Sequence, residues 1–423
     1  IIEATTGIQI DLSGLTFDDP TVFAMITAAD TIGLFQVESR AQSQLLPRLR
    51  PTCFEDLIVA ISLIRPGPIQ GNMVHPYVRR RSGLEPVTYV HPLLKPALAE
   101  TLGVILFQEQ VLKVARDLAG FTPGQGELLR RTLGSKRSTS ALADLRADFL
   151  AGARAQGVPP QVAEQVLASL EAFGSYSFPK SHAASFAVIV YQSAWLKYYY
   201  PAAFYAALLN NQPMGFWSPA VLVNVARRHA IDIHPVDCRF SMARCGLEGD
   251  GIRLGLNLVK GMGDGSSARI LDCRAAQPFA DLNDFCQRTH LPRRLVENLI
   301  LVGAFCPWGT PRRKLLWQLK SLQYPVEELD LVFAEDTVEL QPLSATERLT
   351  LDFDLLGLST GEHVMDFYRP VLAEQGVLTS ATLRRAKHGT PVKVAGLVVV
   401  HQAPPTAKGV HFLTLEDETG LLD

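Results

Sequence analysis

An apolar stretch at residues 183–210 constrains the fold of this chain more than any other feature of its sequence. Its first part, 183–196, is the longest apolar run without a charge, and it stops at Lys197. That run is shorter than the ~20 residues that a membrane-spanning helix needs. Its pattern is typical of a buried helix, and Pro201 separates it from a second one. The sequence therefore predicts a helical domain with a buried core and no membrane partner.

The composition is that of a folded chain with several domains. Its 423 residues predict two to four domains. With 47% hydrophobic and 19% charged residues, it is not a disordered tail. The 40 basic residues nearly balance the 42 acidic ones, so a nucleic-acid-binding surface would have to concentrate its positive charge locally.

The six cysteines form no C-x-x-C pair, which argues against a zinc ribbon and against a dense disulfide framework. They are Cys53, Cys238, Cys245, Cys273, Cys286 and Cys306. A reduced, cytoplasmic compartment is the simplest interpretation, and no signal-peptide pattern is present at the start. Because the chain begins with Ile1 rather than Met and ends within a predicted strand–turn unit, we expect it to be a fragment.

The first half of the sequence predicts helices joined by loops. Asp19 and Pro20 are typical of a helix start, with an N-cap carboxylate before a proline at the first helical position. A helix is predicted around 105–118, and the glycines and proline of 120–127 predict a break after it.

The pattern changes near residue 231, where short segments containing Pro, Cys and Gly begin. An acidic, poorly patterned stretch at about 321–350 predicts a linker. From about residue 391, β-branched residues alternate with turn signals, which predicts a strand pair and the start of a small barrel.

A basic helix is the first candidate site. Within residues 128–137 lie Arg130, Arg131, Lys136 and Arg137, with no acidic residue in the stretch. Guanidinium groups bind phosphate through two parallel hydrogen bonds, and lysine adds a compact charge. Such a helix could hold a triphosphate or a nucleic-acid backbone. The alternative is an ordinary solvated basic face.

Lys180, Ser181 and His182 form the second candidate, at the start of the long apolar helix. Donors beside the positive end of a helix dipole suit an anion. A Ser–His nucleophile pair is a weaker alternative, because adjacent side chains on a helix diverge and no orienting acid is evident. An N-cap serine followed by a surface histidine is the third interpretation.

The segment 259–270 has the pattern of a helix-hairpin-helix unit. A hydrophobic residue, Lys260, Gly261 and Gly263 precede a predicted helix, whose free amides would bind a DNA phosphate. A dinucleotide-binding loop is excluded because the next glycine is Gly265, which breaks the required spacing.

A degenerate second copy is predicted at 299–309. The alternative is an ordinary helix end at Gly303. The basic residues that flank this copy are Arg293, Arg294, Arg312, Arg313 and Lys314.

Two acidic patterns give weaker indications of function than the basic and hairpin segments do. Asp352 and Asp354 lie two positions apart, as in a two-metal site, but no third carboxylate is evident, and we expect a structural role. The segment 328–333 has the look of a sliding-clamp-binding peptide with Glu in place of the usual Gln, although such short strings are common.

Three long strings identify a family resemblance. They begin "GLFQVESRAQSQLLPRLRP", "GVILFQEQVLKVARDLAGF" and "FPKSHAASFAVIVYQSAWLK", and they resemble the fingers of the bacterial DNA polymerase III alpha-subunit family. The resemblance extends in collinear order from about residue 16 to the end. The variants "FPKSHAASFA" and "LLNNQPMGFWSP" resemble the error-prone, damage-inducible branch, which is associated with translesion synthesis and induced mutagenesis.

The resemblance implies a multidomain, mainly α chain that ends in a truncated β-barrel. We expect polymerase fingers at 1–230 and a tandem helix-hairpin-helix region at 231–320. A linker with connecting helices is expected at 321–385, and part of an OB-fold at 386–423. In such an OB-fold, bases of a single-stranded template would stack on aromatic side chains, of which Phe412 is the one available here.

The resemblance also implies roles for the candidate residues. Arg130, Arg131 and, less directly, Lys136 would contact the incoming triphosphate, and residues 180–182 would lie on the nucleotide or template side. Residues 255–309 would hold duplex DNA behind the active site.

The family's three catalytic aspartates precede the fingers in chain order, and none is present in this sequence. The intact enzyme would use Mg²⁺ to extend a primer with deoxynucleotides. Its implied partners are primer–template DNA, deoxynucleoside triphosphates, an accessory protein of the Y-family type and, through it, the sliding clamp. Two alternatives stay open: a DNA-binding module without enzyme activity, and the main replicative alpha subunit.

Overall fold

The computed structural model describes residues 1–65, 68, 73–134, 139–174, 178–322, 340–403 and 409–423. The chain divides into two compact units. One comprises residues 11–198, and the other comprises residues 1–10 together with 199–423. Among the described residues, no helix is both long and apolar enough to cross a membrane.

The unit of residues 11–198 is helical. Helix α1 (Ile2–Thr6) precedes it in the chain. The helices of the unit of residues 11–198 are α2 (Pro20–Thr27), α3 (Arg40–Leu49), α4 (Phe54–Leu63), α5 (Val74–Arg81), α6 (Lys95–Leu98), α7 (Gln108–Ala119), α8 (Pro123–Gly134), α9 (Thr139–Ala155), α10 (Pro160–Gly174) and α11 (Lys180–Tyr199).

The predicted helix start at Asp19 is confirmed. Its carboxylate Oδ1 accepts a hydrogen bond from the Thr21 backbone N–H at 2.8 Å, and Pro20 takes the first helical position. A proline there loses no hydrogen bond, because the first amides of a helix have no partner within it.

Helix α11 is the predicted apolar helix, and it buries Ala187, Val190 and Tyr191. Its apolar run ends at Lys197, whose side chain is nevertheless 1% exposed. The Lys197 ammonium donates to Asp30 Oδ1 at 2.7 Å and to two backbone carbonyls. Burial lowers the pKa of Lys197, while the Asp30 charge acts in the opposite direction.

The predicted break at 120–127 is only partly correct. Helix α8 begins inside it, at Pro123, where Gln125 Oε1 accepts from the Thr122 N–H at 3.0 Å and closes the helix start. Gly126 lets α8 approach α7, because a Cβ at this position would lie 3.2 Å from the Leu112 side chain. The glycine therefore permits close helix packing rather than ending a helix.

The second unit carries the remaining helices. They are α12 (Pro201–Asn210), α13 (Pro219–Arg228), α14 (Asp264–Ala276), α15 (Leu282–Thr289), α16 (Arg293–Leu301), α17 (Arg312–Ser321), α18 (Ala345–Leu356), α19 (Arg369–Glu374) and α20 (Ser380–Leu383). Helix α12 is the second predicted apolar helix, and Pro201 is its first residue.

Three small sheets complete this unit. Their strands are β1 (Ile233–His234), β2 (Gly246–Glu248), β3 (Gly251–Arg253), β4 (Val377–Leu378), β5 (Lys393–Val394), β6 (Leu397–Gln402), β7 (Phe412–Asp417) and β8 (Gly420–Leu422). In the first sheet, β3 pairs with β1 in parallel and with β2 in antiparallel orientation. Strands β4 and β5 pair in parallel. Strands β6, β7 and β8 form an antiparallel sheet in that order, with a register shift between Val398 and Val400.

The predicted fold class is confirmed: the chain is mainly helical and ends in a small sheet. The sheet of β1–β3 was not predicted, because its strands are only two or three residues long. The domain boundaries and the OB-fold assignment stay predictions.

A helix begins inside the stretch for which the sequence predicts a linker with connecting helices. Ser344 and Glu347 form a capping box, in which each side chain bonds the backbone N–H of the other residue, and α18 begins between them. The clamp-like segment 328–333 lies outside the described residues.

Candidate nucleotide and nucleic-acid interface

Arg130 and Arg131 lie on α8, and one carboxylate binds both. Arg130 donates from Nε and Nη2 to the two oxygens of Glu127, at 2.8 and 2.7 Å, and Arg131 Nε donates to Glu127 Oε1 at 2.8 Å. Glu127 lies one position before the predicted basic stretch 128–137, which contains no acid of its own. The signal was present, because residues three and four apart on a helix are neighbours.

The electrostatics of this group follow from the pairing. The hydrogen bonds from Arg130 and Arg131 lower the pKa of Glu127 to about 2, so the carboxylate is ionised at neutral pH. The hydrogen bond to Glu127, together with the charges of Glu127 and Glu109, raises the pKa of Arg130. Arg131 is 72% exposed and Arg130 24% exposed. The predicted ligand Lys136 lies outside the described residues.

Lys180, at the start of α11, also has acidic partners. Its ammonium lies 2.5 Å from Glu100 Oε2 and over the ring of Phe107. Its backbone N–H donates to both carboxylate oxygens of Glu109, at 3.1 and 3.0 Å. The predicted anion position at this helix start is therefore already occupied by a carboxylate of the chain itself, which satisfies an amide that has no partner within the helix.

Ser181 and His182 are exposed. The imidazole of His182 packs against two aromatic rings, with centroids 5.1 Å from Phe178 and 4.2 Å from Phe186. Among the described residues, no hydrogen bond joins the Ser181 hydroxyl to this imidazole, and no acid orients it. The arrangement does not support a Ser–His nucleophile.

The first predicted hairpin lies between residues 259 and 263. Gly261 has φ +88°, a left-handed conformation that favours glycine. The hairpin packs on α16, where Asn298 Nδ2 donates to the Lys260 carbonyl at 2.7 Å. Helix α14 follows with Gly263 as N-cap and without a side-chain cap. The side chain of Lys260 is exposed. The first turn of α14 also carries the carboxylate of Asp264, and the DNA contact expected here stays a prediction.

The side chain of Arg312 covers the second predicted hairpin at Gly303. Gly303 has φ +86°, and the Arg312 guanidinium packs on it so closely that a Cβ there would lie 2.5 Å from Nη2. Arg312 Nη1 donates to the Leu301 carbonyl at 2.6 Å, and the side chain is 15% exposed. The Arg312 guanidinium thus bonds within the protein, and its expected contact with DNA stays a prediction.

The other basic residues of the second copy differ in their pairing. Arg313 pairs with Glu347 at 2.6 Å, and Arg293 donates to the Leu319 carbonyl at 2.8 Å. Arg294 and Lys314 are exposed and form no ion pair with another described residue.

Asp352 lies on α18 and contacts the loop that follows this helix. It is 4% exposed, and its Oδ2 accepts from the Thr360 hydroxyl at 2.7 Å and from the Thr360 N–H at 3.1 Å. Asp354 is exposed on the same helix. No cluster of three or more His, Cys, Asp or Glu side chains in the described part of the chain could hold a metal ion.

Two domain models and several named proteins are similar to this chain. Residues 1–157 match the finger domain of the bacterial DNA polymerase III alpha subunit, and residues 230–315 match the helix-hairpin-helix motif. The chain is 45% identical to the error-prone DNA polymerase of Alkalilimnicola ehrlichii, which covers 99% of the chain and 41% of the relative. Identity to the corresponding protein of Mycolicibacterium paratuberculosis is 45%, over 99% of the chain and 39% of the relative. Identity to the error-prone DNA polymerase of Pseudomonas aeruginosa is 43%, over 99% of the chain and 41% of the relative.

The chain thus spans about two fifths of the length of these relatives, and it aligns with them almost from end to end. Both matched domain models fall on the segments where the sequence predicted fingers and hairpins. The chain therefore contains a segment similar to the finger domain of the bacterial DNA polymerase III alpha subunit, and it aligns along nearly its whole length with proteins named error-prone DNA polymerase.

Proposed function

We propose that this chain is the nucleotide- and DNA-binding part of an error-prone DNA polymerase. The observation that carries the proposal is the identity of 42–45% along nearly the whole chain to relatives that bear this name. The complete enzyme would add deoxynucleotides to a primer 3′-OH opposite a template. The catalytic aspartates and their Mg²⁺ ions would lie outside these 423 residues.

Within this proposal, Arg130 and Arg131 bind the incoming triphosphate. Both are on one helix, one carboxylate already binds both guanidinium groups, and a phosphate group presents a similar arrangement of charged oxygens. Lys136 and residues 180–182 belong to the same proposed surface. The DNA contacts are Lys260 with the amides at the start of α14, and the exposed Arg294 and Lys314.

The test is Arg130→Ala in the complete protein that contains this chain. Removing a guanidinium that contacts a phosphate should raise the apparent KM for deoxynucleotides about tenfold or more, because charge-assisted bonds contribute about 1.5–3 kcal/mol. Arg116→Ala is the matched control, since this arginine also pairs with an acid on a helix of the same unit. If Arg130→Ala keeps the parental KM, the assignment of the triphosphate site is wrong.

The biological setting is also part of the proposal. We infer damage-induced mutagenesis and translesion synthesis in the cytoplasm, with an accessory Y-family-type protein that connects the enzyme to the sliding clamp. A binding module without polymerase activity would instead bind DNA with a steep salt dependence and would not respond to deoxynucleotides.

A further inference from the structure

The described cations that are proposed to bind the triphosphate share one property: each already has a carboxylate partner in the unit of residues 11–198. Arg130 and Arg131 share Glu127, and Lys180 pairs with Glu100. The positive charge of this surface is thus balanced by the chain's own acids. A triphosphate can therefore bind these cations only by competing with the carboxylates of Glu127 and Glu100.

Glu127 occupies the position that competes most directly. Its carboxylate takes two parallel N–H···O bonds from Arg130, which is the fork geometry that a guanidinium also presents to a phosphate. Since a carboxylate and a phosphate are both negatively charged, they cannot share these donors without repulsion.

The Glu127 carboxylate can also move away from the two arginines into solvent. Its side chain is 37% exposed, and Arg131 beside it is 72% exposed. A carboxylate that is released here becomes hydrated, so its release does not leave a buried charge without a partner. The same does not hold for the Lys197–Asp30 pair, whose ammonium is 1% exposed.

We propose that Glu127 is a displaceable counter-ion, which holds Arg130 and Arg131 until a deoxynucleoside triphosphate replaces it. The inference rests on the proposed function of the two arginines and adds the residue that sets their affinity. The exchange involves no covalent step: the arginines keep their charge and change one anionic partner for another. Glu127 is therefore a positioning residue and does not take part in the chemistry.

The experiment is Glu127→Gln in the complete protein, with deoxynucleotides and with inorganic tripolyphosphate as an inhibitor. Exposed ion pairs contribute roughly a factor of two to five each, so loss of this charge should lower KM about two- to tenfold. The effect should fall on KM rather than on kcat. The inhibition constant of tripolyphosphate should fall in parallel, because the exchange concerns the phosphates and not the base.

Glu164→Gln is the matched control, since it removes a carboxylate from an exposed arginine pair elsewhere in the same unit. Glu164→Gln should leave the KM for deoxynucleotides and the inhibition constant of tripolyphosphate within about twofold of the parent's values. An unchanged or higher KM for Glu127→Gln overturns the counter-ion role, and a higher KM would mean that Glu127 orients the arginines instead. Arg130→Ala separates the two hypotheses: if it raises KM while Glu127→Gln does not lower it, only the counter-ion role fails. If neither variant changes KM, the triphosphate site itself is wrong.

Discussion

Replacing the buried Lys197 by methionine tests the packing of the helical unit. The Lys197 ammonium makes hydrogen bonds of 2.7 Å to Asp30 Oδ1, 3.0 Å to the Asp30 carbonyl and 3.1 Å to the Ile32 carbonyl. Lys197→Met keeps an unbranched apolar side chain of similar length but leaves these acceptors without their shared donor.

The magnitude follows from the exposure of the two partners. Removing one member of a buried ion pair costs about 3–5 kcal/mol. Asp30 is 32% exposed, so water compensates part of its loss, and we expect about 2–4 kcal/mol. For a unit of this size, such a change lowers the melting temperature by about 4–16 °C.

Urea unfolding followed by circular dichroism measures this change, and Lys113→Met is the control. Lys113 pairs with Glu100 at 3.6 Å, is 43% exposed, and should contribute less than about 1 kcal/mol. The second variant Asp30→Asn, combined with Lys197→Met, should recover part of the loss because it removes the negative charge that the Lys197 ammonium neutralises. A loss below about 1 kcal/mol for Lys197→Met would refute the buried pairing.

Two further predictions concern DNA binding and alkaline stability. Lys260→Ala should reduce the slope of log affinity against log salt by about 1 in a DNA titration, because one phosphate contact is lost. Arg313→Ala should change that slope less, since this guanidinium already pairs with a glutamate. Burial raises the pKa of Tyr77 to about 12, so the folded state holds this proton more tightly than the unfolded state. The resulting stability is complete below about pH 10 and is lost as the pH rises towards 12. Tyr77→Phe should therefore weaken the loss of stability in that range, measured by urea midpoints at each pH.

Each of these two predictions has an outcome that contradicts it. Equal slopes for the parent and Lys260→Ala would remove the first hairpin from the DNA interface. An unchanged alkaline profile for Tyr77→Phe would mean that the phenol is not the group responsible.

Local features of the chain were determined by the sequence. The helix start at Asp19, the apolar helices on either side of Pro201, and the left-handed turn at Gly261 follow from patterns within a few residues. The physical reason is that N-caps, proline geometry and positive φ depend on the backbone close by. The pairing of Glu127 with Arg130 belongs to this class, since three positions on a helix separate them.

Only the tertiary structure decided which partners the candidate residues have. Glu100 and Glu109 reach Lys180 from 80 and 71 positions away, because packing brings α7 and the 3-10 turn Ala99–Thr101 to the start of α11. Arg312 turns inward because Gly303 leaves room for its guanidinium, which a pattern of basic residues does not reveal. A charged side chain has the same local sequence whether it faces solvent or a carboxylate, and only the arrangement of distant helices distinguishes the two.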